Sequence, residues 1–189
     1  MLNTQDRNTL LTLARESISH GLKHGASLAV KPAKYYSEAL QKDAASFVTL
    51  HCSEELRGCI GNLAAYQPLV SDVVANAYNA AFRDPRFTPL RHDELEKVHI
   101  HIEVLSPPQP LSFTSEEELL AMLRPGVDGL VLRDNSLRGT FLPSVWTSLP
   151  EPAVFLQQLK RKAGLPADYW SDSIVVERYT TEAFGEPGQ

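Results

Sequence analysis

Phe47-Val48-Thr49-Leu50-His51-Cys52-Ser53-Glu54-Glu55-Leu56-Arg57-Gly58-Cys59-Ile60-Gly61 is the stretch that decides the fold class of this 189-residue chain. Its first six residues are rich in β-branched and aromatic side chains and read as a strand. Ser53-Glu54-Glu55 reads as a polar turn, and Leu56 to Gly61 as the return strand of a hairpin. Side chains alternate between the faces of an extended segment. That puts Arg57 and Cys59 on one face, with Leu56 and Ile60 on the other. Gly58 and Gly61 leave backbone uncovered for the close approach of another chain or a ligand. A cation beside a thiol favours the thiolate, the reactive form. Arg57, Gly58, Cys59 and Gly61 are therefore the first candidate site residues.

Working outward, Val98 to Leu105 alternates strictly. Val98, Ile100, Ile102 and Val104 face one way; His99, His101 and Glu103 face the other. Upstream, Leu10, Leu11, Leu13, Ala14, Ile18 and Leu22 recur at helical spacing, with Asn3 or Thr4 as cap and Gly21 and Gly25 as stops. Pro68 opens a second helix through Val73, Val74, Ala77 and Ala81. Pro85 ends it, because the residue before a proline avoids the helical region. Ser115 and Glu118 suggest a capping box. Gly129 to Arg133 and Leu137 to Leu142 form a second hairpin across Asp134-Asn135-Ser136. A helix spans Pro152 to Ala163, and Ile174 to Tyr179 is a late strand. The elements do not alternate regularly, and no Gly-rich phosphate loop or dinucleotide fingerprint is present. The expected fold is α+β, a mostly antiparallel sheet flanked by helices.

Composition bounds the function. Hydrophobic residues make up 43% and charged residues 22%, the balance of an ordinary globular protein. The expected organisation is a single domain over residues 1–184 with a frayed tail over 185–189. A net charge of −5 argues against nucleic acid as a partner. No apolar signal core lies between Met1 and Leu11, and no stretch approaches the roughly 20 apolar residues of a membrane span. The expectation is a cytoplasmic protein with no membrane partner. Cys52 and Cys59 are too few for a disulfide framework.

The remaining candidates follow from residue chemistry. Cys59 is either a nucleophile or a small buried residue; His51 or His101 serves as its base only if the fold brings them within reach. Leu137-Arg138-Gly139 echoes Leu56-Arg57-Gly58, so Arg57 and Arg138 are candidates for an anion clamp, since guanidinium matches carboxylate and phosphate with paired hydrogen bonds, or each is a structural residue that ties down a turn or an acid such as Asp84. Arg83-Asp84-Pro85-Arg86-Phe87 reads as a pocket wall or, by default, as a helix-ending brace with Asp84 on an arginine and Phe87 plugging the core. His99, His101 and Glu103 imitate a two-His-one-carboxylate site. Neighbours on one strand face lie nearly 7 Å apart, so no metal is expected there. Lys160-Arg161-Lys162 reads as the solvated side of its helix. Phe141, Leu142, Pro143, Val145 and Trp146 read as core, unless an exposed Trp146 marks a partner surface. No motif calls for a cofactor.

Five blocks in order now carry a resemblance. They are Leu56 to Gly61, Ala81 to Leu90, Val104-Leu105-Ser106-Pro107, Arg138 to Pro143 followed by Val145-Trp146, and Lys160 to Gly164. With them the chain resembles the AMMECR domain family, in its bacterial form the A component of the AmmeMemoRadiSam system. The resemblance implies an α+β fold with a larger and a smaller lobe and the hallmark Leu56-Arg57-Gly58-Cys59-Ile60-Gly61 near a groove between them. It implies a Memo-like protein and a radical S-adenosylmethionine protein as partners. It supplies no reaction. Two readings result: an accessory or binding component of such a system, or a small enzyme with Cys59 as nucleophile and Arg57 and Arg138 holding a small anionic or carbonyl substrate.

Overall fold

The computed structural model describes residues 2–186. In chain order the elements are α1 (Thr4–His24), α2 (Glu38–Gln41), β1 (Ser46–Cys52), β2 (Glu55–Gly61), α3 (Leu69–Phe82), β3 (Val98–Leu105), β4 (Gln109–Pro110), α4 (Glu116–Met122), β5 (Gly129–Asp134), β6 (Leu137–Phe141), α5 (Pro152–Lys162), β7 (Val175–Tyr179) and β8 (Thr181–Gly185). Short 3-10 turns occupy Ala33–Tyr35, His92–Lys97 and Pro143–Thr147. The fold is α+β: the strands form two four-stranded antiparallel sheets, ordered β2-β1-β3-β8 and β4-β7-β5-β6. Two compact units result, Met1–Leu105 with Glu182–Gln189, and Ser106–Thr181.

In the first unit the two-residue period does the sorting. Val48, Leu50, Ile100 and Ile102 lie on one sheet face and are essentially inaccessible to solvent. Leu10, Ala14 and Ile18 of α1 and Val73, Val74, Ala77 and Ala81 of α3 share that core. Each Val, Leu or Ile side chain buried there contributes about 1.5–3 kcal/mol relative to exposure. The opposite face carries Thr49, His51, His99, His101 and Glu103, all half-buried.

Local signals set the helix ends. Asn3 caps α1 by accepting the Asp6 N–H, and Gly25 closes it at φ 68°, a conformation that favours glycine. Gly21, expected as a stop, lies inside α1, where the Phe82 ring fills the space of a side chain. A buried Asp72 on α3 accepts the Ser46 N–H at 2.9 Å and its hydroxyl at 2.7 Å. Asn62, Gln67 and Asn76 also donate to it, which pins the start of β1 and the end of β2 to the helix.

β8 lay outside the sequence expectation, because Thr181-Glu182-Ala183-Phe184-Gly185 has no clear apolar alternation. Side-chain ties hold it: Glu182 accepts from Arg7 and from the Leu2 N–H, and Glu186 accepts from Arg15 and from the Ile100 N–H. The frayed tail expected from residue 185 thus has its first two residues tied down. Residues 187–189 lie outside the described ones.

In the second unit α5 places Phe155, Leu156 and Leu159 against Leu130, Leu132 and Val176. Trp146 stacks on Phe155 at 3.8 Å and donates its indole N–H to the Asp128 carbonyl at 2.7 Å. It is a core residue, not an exposed partner anchor. Ser115 caps α4, but Glu118 reaches back to the Thr114 N–H instead of closing the box on Ser115. The basic run needs a correction. Lys160 is fully buried: it donates to Glu116 at 2.7 Å and lies 5.5 Å from the centre of the Trp170 ring. Buried lysines survive only when paired.

The Arg-Gly echo has a structural counterpart. Leu50 faces Gly58 across the first hairpin, and Leu132 faces Gly139 across the second. Gly58 lies under the carbonyl of Ala80 in α3, while Gly139 lies against the Leu159 carbonyl of α5. Each hairpin uses a glycine to bring a strand directly onto a helix backbone.

Candidate functional site

β2 is an edge strand, so its outer backbone groups need partners. Opposite Thr49, Cys59 turns its N–H outward and donates it to Asp84 Oδ2 at 2.9 Å. Arg86 donates to the Cys59 carbonyl at 3.3 Å. The same guanidinium holds Asp84 through Nε at 3.0 Å and through a terminal nitrogen at 2.7 Å, and the Arg86 backbone N–H adds a bond at 3.1 Å. Asp84 and Arg86 therefore offer Cys59 one acceptor and one donor, as a neighbouring strand would. Pro85 makes this possible by ending α3 and turning the chain back beside β2.

The pair is electrostatically lopsided. The Asp84 side chain is 2% exposed and that of Arg86 54%. The hydrogen bond from Arg86 holds the Asp84 carboxyl well below the usual carboxylate range. Burial opposes this, and the N–H groups of Cys59 and Arg86 reinforce it. Arg86 in turn is raised, first by its hydrogen bond to Asp84, with the Cys59 side chain adding a smaller share. Phe87, expected to plug the core, is half-buried with the Arg86 guanidinium 5.5 Å from its ring centre, and Arg83 is exposed.

The cation beside the thiol is Arg86 and not Arg57. The pairing slips at Arg57: His51 faces Leu56 and Leu50 faces Gly58, so Arg57 is an inserted bulge residue. Regular alternation fails there. Leu56, paired with His51, is 41% exposed, whereas Ile60 packs on the core. Arg57 makes a two-pronged bond to Glu94 at 2.7 and 3.0 Å, and both side chains are largely buried. The hydrogen bond raises Arg57 and lowers Glu94.

Around the sulfur, Thr49 Oγ1 lies 3.2 Å from Cys59 Sγ. His101 sits across β1 from Cys59, paired with Thr49, and His51 is one step along the same face. Burial lowers both imidazoles, with His101 and His99 adding to the effect on His51. Burial raises the Glu103 carboxyl. The sulfur is thus addressed by a threonine hydroxyl and by the Arg86 guanidinium, and Cys52 and Cys59 are both free thiols. Among the described residues no group of three His, Cys, Asp or Glu side chains is placed to hold a metal.

The two glycines serve the protein's own packing. Ala80 occupies the space beside Gly58 and the Phe47 ring that beside Gly61. Arg138 belongs to the second unit, exposed on β6 opposite Arg133, whose own partner is Glu177 at 2.9 Å. Thr49 and Glu94 were missed from sequence. Thr49 is legible only after the bulge is counted into the register, and Glu94 carried no local signal.

The model of the AMMECR1 family matches residues 11–184. A protein of Methanothermobacter thermautotrophicus is 33% identical over 99% of this chain and 97% of its own length. Another, from Methanopyrus kandleri, is 35% identical over 96% of this chain and 88% of its own. The crystal structure of an uncharacterized protein from Pyrococcus horikoshii superposes with a TM-score of 0.87 at 31% identity, covering 98% of this chain and 93% of that one.

Proposed function

The chain belongs to the AMMECR1 family, and from that premise we propose that it is a binding component and not a self-sufficient catalyst. Its role would be that of the A component of a cytoplasmic AmmeMemoRadiSam system, working with a Memo-like protein and a radical S-adenosylmethionine protein. One observation carries the binding reading. Both cations of the hallmark region are already committed, Arg57 to Glu94 and Arg86 to Asp84. Among the described residues no imidazole is hydrogen-bonded to the thiol, which is addressed by Thr49 and Arg86. Such a set is charge-balanced and mutually hydrogen-bonded, which suits a recognition surface better than proton transfer. The test is gentle capture of the two partners by the full chain, alongside Arg86→Glu. The expected result is co-purification with the wild type and its loss with the variant. Failure to recover either partner overturns the proposal.

A second reading has its own support. Thr49 and Arg86 both address Cys59, and a hydroxyl donor with a guanidinium stabilises a thiolate. Cys59 would then be the nucleophile of a small enzyme. Alkylation of Cys59 across pH decides it. A rate that saturates below the range of a free thiol supports the nucleophile, and a thiol inert until denaturation removes it.

A further inference from the structure

The C-terminal end of α1 holds two of the chain's six histidines, His24 in the last turn and His20 one turn before it. They are four apart, so they share one helix face. Their rings lie 4.4 Å apart between centroids, tilted by 39°. His20 is half-buried and His24 exposed, so solvent reaches the pair.

We propose that His20 and His24 chelate a divalent transition-metal ion of the Zn²⁺ class. The spacing is the first argument. Two imidazoles four residues apart on a helix can ligate one ion, as in helical zinc motifs, and imidazole is a preferred ligand of Zn, Cu and Ni. Rings already side by side lose little freedom when the ion binds. Location is the second argument. The C-terminal end of a helix carries partial negative charge and stabilises a cation placed there. Gly25 closes the helix through its N–H to the Gly21 carbonyl, and Tyr78 of α3 donates to the Gly25 carbonyl at 2.8 Å, so the turn that presents the pair is fixed at its end. The protein supplies two ligands; water or an exchangeable group completes the coordination shell.

This site is separate from the hallmark strand and independent of the function proposed above. The test is titration of the full chain with Zn²⁺ alone, followed by calorimetry and by the imidazole resonances in NMR. The expected result is one-to-one binding that perturbs His20 and His24 first. His20→Gln and His24→Gln should each weaken it at least about tenfold, because either removes the chelate. His99→Gln should leave it unchanged. Thermal unfolding with saturating Zn²⁺ gives a second readout: a raised Tm for the wild type and none for His24→Gln. Binding that survives loss of either histidine, or no binding by the wild type, overturns the proposal.

Discussion

Asp84 accepts the backbone N–H of Cys59 at 2.9 Å across 25 positions of sequence. This bond seals the edge of β2 at the hallmark cysteine, and Arg86 keeps the acceptor charged. The carboxyl is depressed, so its contribution to stability is present above the ordinary carboxylate range and is lost as pH falls toward its folded value. Asp84→Asn keeps an acceptor but loses the charge-assisted bonds. Urea unfolding at neutral pH should show a loss of about 1–3 kcal/mol. The gap between variant and wild type should narrow steadily below about pH 4. A gap that stays constant with pH would show that the charge of Asp84 contributes nothing.

Gly58 and Gly139 make the same close approach with different tolerances. A Cβ on Gly58 would overlap the Ala80 carbonyl oxygen, which is backbone and cannot rotate away. On Gly139 it would lie 2.9 Å from both the Leu159 oxygen and the Ala163 nitrogen, near the end of α5. Overpacking typically costs about 1–3 kcal/mol. Gly58→Ala should therefore lower Tm clearly more than Gly139→Ala. The reverse order would mean that α3 yields more readily than the end of α5.

The contrast between these contacts explains what sequence conveyed. The hairpin over Phe47 to Gly61 and the strand Val98 to Leu105 were legible because alternation and turn residues are local. The same local signals placed Pro68 and Pro85 at the ends of α3. The chemistry around Cys59 was not legible, because its partners come from elsewhere: Thr49 across a register that slips at Arg57, and Asp84 and Arg86 from beyond α3. The partner of Arg57, Glu94, comes likewise from a later 3-10 turn. A bulge of one residue took Arg57 out of register with Cys59, and the turn after α3 put Arg86 beside the thiol instead. β8 was missed for the complementary reason. It is held by Glu182 and Glu186 reaching α1, and not by a pattern within itself.

Lys160 tests how a buried charge is tolerated. Its ammonium is fully enclosed, while its partner Glu116 keeps 33% of its side-chain surface. Lys160→Ala removes the pair and opens a cavity beside Trp170, and should cost about 3 kcal/mol by chemical denaturation. Lys160→Met preserves the volume and leaves Glu116 free to reach water, so most of that loss should be recovered. Equal losses in both variants would place the whole effect in the charge.

Glu103 and the histidines on the same sheet face give opposite pH signatures. Burial raises the Glu103 carboxyl, so its ionisation works against folding. The stability it allows is complete below its unfolded value and declines as pH rises through the folded one. Glu103→Gln should thus be more stable than the wild type at pH 7, with the advantage vanishing below about pH 4. His51 and His101 are lowered by burial, so their contribution is present above the ordinary imidazole value and is lost as pH falls below it. The double variant His51→Gln, His101→Gln should flatten the stability profile between about pH 7 and pH 5. The two effects run in opposite directions with pH, so urea midpoints of the variants at pH 7.5, 5.5 and 3.5 separate them. A Glu103→Gln protein that is less stable than the wild type at pH 7 would show that the carboxylate has a stabilising partner on that face.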